Sequence, residues 1–570
     1  MTSYSGNDRG RIRHALKQPL DVLIVGGGIN GAGLARDLAL RGARVGVVEK
    51  DDFAHGTSSR SSRLIHGGLR YLEQRQIGLV FESVTERWRM SHLARHLVRP
   101  LPFVFPVYEG SRVPLWMVRL GVTLYDALAL FRNYENHRGL SKEEVAHLLP
   151  SFDQSKLTGA LLYYDYRTND ARMTLENVIA ASEAGAAILS RAKAIAPIVE
   201  RSDRGRVIAG AMIHDELTGE RFEARARIVV SATGPWTDEA LRILGVEKPG
   251  EHPHLRPTKG VHIVVPREKL PLRAAAAMTH PRDGRVLFAL PYEERAVIGT
   301  TDTDWQGSPD SVRVESSDVD YLLEVAASLF PSSKLTRADV ISSWAGLRPL
   351  MNADAVKASS VPREHRILTT PEGLIAIFGG KLTTYRKMCE ELADHVAMEL
   401  AKRGGPDLGG STTEALPLPG AETLDTDEDL QRVIEQAEQQ GGFDRVCATH
   451  LAETYGSRAI GILDRVARDT SGLLRRRVIS DLPFVWAEVE WAAEREMALS
   501  VEDVFVRRTG IFYRDVDNGL GAAPQAVTLL GDVLGWSPAR RDEELERYRA
   551  FVLASRAWQG NAPAVTSLAS

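Results

Sequence analysis

The sequence predicts an α/β protein carrying an inserted, mainly antiparallel β domain and ending in an α-helical domain. Three observations predict it. A strand, a glycine-rich loop, a helix and a second strand follow one another from Asp21. Apolar runs joined by turn residues fill the middle of the chain, and a Gly/Pro-rich stretch at 401–420 precedes a charged region of helical pattern. At roughly 100–200 residues per domain, 570 residues make three or four domains, or one large nucleotide-binding unit and a smaller one. Hydrophobic residues at 44% and charged residues at 26% give an ordinary globular balance, which excludes disorder and fibrous repeats. Lys and Arg total 71 against 75 Asp and Glu, so a generally basic nucleic-acid binder is excluded. Cys389 and Cys447 are too far apart for a CxxC pair and too few for an iron–sulfur cluster or a Cys-rich zinc site. No metal is expected. Scarce cysteine and no signal-peptide pattern point to the cytoplasm.

The elements follow in order. Residues 1–19 carry Arg9, Arg11, Arg13 and Lys17 against Asp8 and read as a loose basic tail. Residues 22–25 are an all-apolar run of the buried parallel-strand kind. After the glycine loop, Leu34, Ala35, Leu38 and Ala39 share one helix face. The helix stops at Gly42, and the second strand, 45–48, ends at Glu49. Residues 113–131 are the longest apolar stretch, broken by Pro114, Arg119 and Asp126. That is too interrupted to span a bilayer, and reads as a helix packed on the core or lying on a surface. In strand 260–266, Val261, Ile263 and Val265 share one face and His262 the other. Runs 285–290 and 296–300 read as a hairpin closed by Pro291–Glu294. The domain bounds expected are a tail at 1–19 and a large domain at 20–400. Within it, α/β parts lie at about 20–110, 155–250 and 340–400 and a mainly antiparallel β part at about 251–340. A linker at 401–420, a helical domain at 421–555 and a tail at 556–570 complete the chain.

Gly26, Gly28 and Gly31 form G-x-G-x-x-G between a strand and a helix, the Rossmann-like dinucleotide arrangement. The first glycine permits the tight turn, the second lets backbone approach a pyrophosphate, and the third lets helix pack on strand. The helix N-terminus offers free N–H groups to phosphate. Glu49, 18 residues after Gly31, is placed to accept hydrogen bonds from a ribose and disfavours a 2′-phosphate. A second apolar strand, 228–231, ends in Ala232-Thr233-Gly234, an end that returns to the cofactor in two-dinucleotide-fold flavoproteins. With no second G-x-G-x-x-G, FAD is the cofactor expected. Electrons would then come directly from substrate and leave to a quinone, oxygen or a protein partner.

Five motifs now stand in order. They are Gly26–Gly33, Thr57-Ser58-Ser59, 64–73 (L-I-H-G-G-L-R-Y-L-E), Ala232–Trp236 and 378–386 (F-G-G-K-L-T-T-Y-R). Together they resemble the FAD-dependent glycerol-3-phosphate dehydrogenases, most of all the bacterial aerobic, quinone-linked type. The resemblance spans 21–386, and the region after the linker resembles the family's C-terminal domain. It implies a two-dinucleotide-binding FAD domain and oxidation of glycerol 3-phosphate at C2. Arg348, before Pro349 and so biased to extended geometry, resembles the family's phosphate-binding arginine, and Arg363 a second one. A guanidinium fork matches phosphate oxygens bidentately. His66, between Ile65 and two glycines, is the leading candidate for the base, since imidazole titrates near pH 6.5, and His262 competes with it. Arg70, Tyr71, Thr300, Thr301 and Lys381 resemble residues lining the substrate pocket, Lys381 serving the developing alkoxide or the reduced flavin. Gly379, Gly380, Lys381, Leu382 and Thr383 would offer backbone N–H groups to the isoalloxazine, and Thr57, Ser58 and Ser59 would bond the pyrophosphate.

The extra C-terminal cysteines of the anaerobic branch are absent, and no obvious insertion of the oxidase branch is present. The reading is glycerol 3-phosphate plus quinone giving dihydroxyacetone phosphate plus quinol. The alternatives are an oxidase making hydrogen peroxide and a non-catalytic flavin-binding or partner-docking protein. A quinone acceptor implies peripheral contact with the inner face of the cell membrane, through 115–122 or the basic segment 9–17. No nucleic-acid partner is expected, and a homodimer is admitted.

Overall fold

Short apolar runs alternating with helices build parallel sheets covered on both faces, and the first half of the chain does so. In the computed structural model, which describes residues 4–68, 76–110, 113–130, 132–202, 205–246, 253–352 and 365–560, strand Leu20–Val25 is buried at all six positions. It lies between Val45–Val48 and Arg221–Ser231, parallel to both, with Ile24 level with Val47 and Val230. Ala187–Leu189 and Ile375–Phe378 extend the sheet in parallel, and Arg366–Thr369 closes one edge antiparallel. Helix Ile29–Leu40 lies between Asp170–Glu183 and Tyr385–Lys402, burying Leu34 and Leu38 completely.

A second, ten-stranded and mainly antiparallel sheet holds Thr258–Pro266 between Arg295–Gly299 and Ser342–Arg348. Val261, Ile263 and Val265 face helix Ser316–Leu329, as the alternation predicts. The sheet is wider than the expected 251–340, because Arg99–Tyr108, Leu157–Arg167 and Ser342–Arg348 also belong to it. Pro100, Pro102 and Pro106 hide the first of these from sequence reading. They share one parity, so their missing N–H groups fall on one side and the other side pairs with Leu157–Arg167.

The described parts of two expected tails, 4–19 and 556–560, are packed. Arg9–Leu16 is a helix that buries Ile12 and Leu16. Arg9 donates to Asp215 at 2.7 Å and to the Ser190 carbonyl at 2.7 Å, and Lys17 reaches Glu220 at 2.6 Å. These partners lie some 200 residues away, which is why the segment looked unattached. At the other end, Trp558 is buried against the second sheet, and its carbonyl accepts a hydrogen bond from Ser316. The 401–420 stretch is irregular but anchored: Leu418 is buried and its N–H donates to the Leu93 carbonyl at 2.7 Å.

The C-terminal region is helical, as its charge pattern predicts, from Asp427–Gly441 through Pro538–Ser555. It clasps the nucleotide domain through buried charges. Asp52 accepts from Arg507 Nε at 2.6 Å and from Arg508 Nη1 and Nη2 at 2.7 and 2.9 Å, and Arg191 meets Asp503 at 2.6 Å.

Candidate active site

The glycine loop is built by backbone contact. Gly26 takes φ +113°, and a Cβ there would stand 2.6 Å from the Ala232 carbonyl oxygen. A Cβ on Gly31 would stand 1.9 Å from the Gly26 oxygen. No side chain fits at either position. Helix Ile29–Leu40 starts at once, and Gly28, Ile29 and Asn30 line a cleft with its N-terminal end. Ser58 Oγ accepts from Ile29 N at 2.9 Å, which leaves its own O–H to donate. Thr57 differs from expectation, because its hydroxyl donates to the Leu347 carbonyl at 2.6 Å and its proton is spent there. Ser59 is buried.

Glu49 sits at the strand end with one oxygen on Gly27 N at 2.6 Å and the other on Asp51 N at 2.9 Å. Each oxygen keeps a further lone pair for a ribose hydroxyl. Burial pushes its carboxyl up to about 7, against the pull of those two N–H groups. Ala194, Ala240 and Ile243 give the cleft an apolar wall, and Ala232, Thr233 and Gly234 lie on it as expected. At its far end stand Gly379, Gly380, Lys381 and Leu382, the two glycines at φ +69° and +97°. A glycine loop at a helix N-terminus, a carboxylate with lone pairs to spare, an apolar slot and a glycine pair in one cleft suit the length and chemistry of FAD.

The substrate side is assembled from distant segments. Strand Ser342–Arg348 ends at Arg348, and Pro349, next in the chain, lines the cleft. Arg348 Nη1 lies 3.2 Å from Asp302, and Nη2 lies 3.0 Å from Thr300 Oγ1 and 3.2 Å from the Thr301 carbonyl. Opposite it is Gly260, where a Cβ would stand 2.6 Å from Nη2. Thr301 is buried and accepts from Val261 N at 3.0 Å, so Thr300 and Thr301 brace the arginine. His66 is held by its backbone: its N–H donates to Thr383 Oγ1 at 3.1 Å, and that hydroxyl lies 3.2 Å from its carbonyl. Thr383 therefore serves through its side chain, not only through a backbone N–H. Lys381 caps the turn Leu382–Thr384, which runs into helix Tyr385–Lys402.

His262 does not suit a base. It is buried, stacked on Trp344 at 4.8 Å, and shares a hydrogen bond of 2.8 Å with Ser62. Burial first, then Arg348 and Arg63, pull its pKa down to about 3, so the ring stays neutral and accepts a proton poorly. Arg70, Tyr71 and Arg363 lie outside the described residues. Asp302 joins the site directly after the two threonines without being singled out by a motif. Asp170, equally unmarked in the sequence, lines the cleft and accepts from Ser61 N and Oγ at 3.0 and 2.7 Å. Arg63, layered against Tyr292, Trp344 and Tyr513 at 4.8–5.1 Å, gave no signal in the sequence.

Residues 21–386 match the family model described as FAD dependent oxidoreductase, and 411–541 match the C-terminal domain of alpha-glycerophosphate oxidase. The aerobic glycerol-3-phosphate dehydrogenase of Staphylococcus saprophyticus is 33% identical over 545 residues, 95% of this chain and 96% of that one. Its counterpart in Staphylococcus aureus is 34% identical over 534 residues, 92% of this chain and 94% of that one. Among solved structures, the glycerol-3-phosphate dehydrogenase of Bacillus halodurans, complexed with FAD, superposes with a TM-score of 0.79 at 29% identity. That match covers 99% of this chain and 100% of that one. An L-alpha-glycerophosphate oxidase from Mycoplasma pneumoniae shares the fold, with a TM-score of 0.52 at 17% identity over 70% of this chain and 99% of its own.

Proposed function

The chain belongs to the FAD-dependent glycerol-3-phosphate dehydrogenase family, and on that premise we propose that it oxidises sn-glycerol 3-phosphate to dihydroxyacetone phosphate and passes the electrons to a membrane quinone. The observation that carries the substrate reading is Arg348, a fixed guanidinium beside the cleft and one residue from the cleft-lining Pro349. Asp302 and Thr300 fix the plane of its guanidinium, so a phosphate ester entering the cleft meets a cation already held in place. Bound FAD supplies the two-electron acceptor. The chain's own residues hold the phosphate at Arg348 and Arg363, receive the hydroxyl proton at the His66 imidazole and place Lys381 near the developing negative charge. His66 is assigned the base role because His262 is buried, stacked on Trp344 and hydrogen-bonded to Ser62.

Support for a membrane acceptor comes from helix Leu115–Leu128. Val118, Val122 and Tyr125 face the core, while Trp116 (65% exposed), Leu120 (63%), Met117 and Leu124 face outward beside the exposed Arg119. Among the described residues no helix is long and apolar enough to cross a membrane. An amphipathic helix with an aromatic, aliphatic and cationic outer face suits the interface. The other candidate, 9–17, has Arg9, Arg13 and Lys17 engaged by Asp215 and Glu220. Leu120→Asp should weaken sedimentation with anionic lipid vesicles severalfold, each apolar side chain giving up roughly 1 kcal/mol of burial, and unchanged sedimentation would remove this helix from the contact.

The test of the activity is anaerobic mixing of the FAD-loaded protein with glycerol 3-phosphate and, separately, glycerol. Bleaching of the oxidised-flavin band by the phosphate ester alone is expected. Bleaching by both, or by neither, overturns the substrate reading. Oxygen uptake outpacing reduction of a quinone analogue would assign the oxidase reaction instead.

A further inference from the structure

The segment carrying His66 is gripped from two sides. On one side, Thr383, next in the chain to the cleft-lining Leu382, holds the His66 N–H and carbonyl. On the core side, Asp165 Oδ1, buried in strand Leu157–Arg167, accepts from Gly67 N at 3.2 Å. The same oxygen accepts from the Tyr125 hydroxyl at 2.8 Å and from Arg87 Nη1. Arg87, fully buried in helix Ile77–Leu93, also donates to the Tyr125 hydroxyl at 3.0 Å and to the Tyr164 carbonyl at 3.1 Å. Gly67 lies flat on this assembly: a Cβ there would stand 2.2 Å from the Tyr125 oxygen and 2.4 Å from Val84 Cγ1.

A buried carboxylate paired with a buried guanidinium costs more desolvation than an apolar pair of the same volume would, and the Gly67 N–H needs only one acceptor. What the ion pair adds is direction. A charge-assisted hydrogen bond, with its acceptor fixed by a guanidinium and a phenol, leaves the peptide next to His66 little freedom to tilt. An imidazole that must meet a hydroxyl proton at hydrogen-bond distance depends on that aim, and misplacement by about 1 Å can cost 10²-fold in rate.

We propose that Asp165 is a positioning residue: held by Arg87 and Tyr125, it fixes the His66–Gly67 backbone and so the aim of the His66 imidazole. The proposal rests on the reading that His66 receives the substrate proton, and it deepens that reading.

The test uses the FAD-loaded full chain carrying Tyr125→Phe, which removes one donor to Asp165 but keeps the Arg87–Asp165 pair, with Asp165→Asn as the stronger second variant. Two measurements are made: steady-state kinetics with glycerol 3-phosphate across pH, and the His66 ring signal in histidine-labelled protein, assigned by its loss in His66→Gln. Tyr125→Phe should lower kcat about tenfold with KM within about twofold, move the acid limb of the pH profile and shift the His66 signal. Asp165→Asn should do so more strongly. A lowered melting temperature with an unmoved pH profile and an unmoved His66 signal would make the network merely structural and overturn the proposal. If the parent protein leaves glycerol 3-phosphate unoxidised, the functional reading falls separately. The His66 signal then decides alone: displaced in Tyr125→Phe it supports positioning, and unmoved it refutes it.

Discussion

The two ends of the cleft are made by different physics. At the glycine loop, backbone meets backbone, Gly31 against Gly26 and Gly26 against the Ala232 strand end, and the decisive quantity is the absence of a side chain. At the arginine end, recognition is side chain on side chain, gathered from 300–302 and 348 with a brace at Val261. The first arrangement tolerates no substitution but is written locally. The second is adjustable, and only the fold brings it together.

Four experiments would sharpen or break that contrast. Gly31→Ala should have the largest effect: a methyl 1.9 Å from a backbone oxygen cannot be absorbed by a rotamer change, so the purified protein should be colourless after reconstitution. Retention of stoichiometric FAD would refute the backbone account. Arg348→Ala comes next. It should leave FAD content intact while kcat/KM for glycerol 3-phosphate falls by about 10²–10³. Lysine at this position should recover little of that, because a point charge lacks the fork; equal turnover in Arg348→Ala and parent would remove this arginine from the site.

The two remaining experiments use acidity, where the ends should behave with opposite sign. Glu49 has a folded pKa near 7, above its ordinary 4.5, so the cofactor-free protein holds this proton more tightly than the unfolded chain does. Its contribution to stability is therefore lost as pH rises from 4.5 to 7, by up to about 1.4 kcal/mol per pH unit. Ribose hydroxyls favour the ionised form, so FAD affinity should rise with pH through about 7, by tenfold per unit at most. Titration of Glu49→Gln with FAD at several pH values should show a flat profile. His262 has a folded pKa near 3, below its ordinary 6.5. Its contribution is present above pH 6.5 and is lost as pH falls toward 3. Melting curves of His262→Asn should lose that acid-side slope, while the pH profile of turnover keeps its limbs. A displaced limb would return His262 to the list of bases. On turnover this is the smallest effect of the four.

What could be read in the sequence follows the same division. The glycine loop, Glu49 and the Ala-Thr-Gly strand end were legible because strand, turn and helix lie within about 30 residues and obey one period each. Strand Arg99–Tyr108 was hidden by its prolines. The helix Arg9–Leu16 reads as a tail because Asp215 and Glu220, which hold it, lie far along the chain. Arg348 became legible only through resemblance, since nothing local distinguishes it from a solvated arginine. Asp302 and Asp165, which set the angles of a guanidinium and of a peptide, have no signature short of the folded contact.

The Asp52 clasp bears on how freely the two matched segments can be recombined. Asp52 stands three positions after Glu49, and its carboxylate is hydrogen-bonded to two arginines more than 450 residues downstream. A chimaera that grafts a foreign helical half onto this nucleotide half would strand that anion in the interior, a defect worth about 3–5 kcal/mol, right beside the ribose acceptor. The two halves therefore form one inheritance unit, and exchange between relatives should succeed only where acid and arginines travel together.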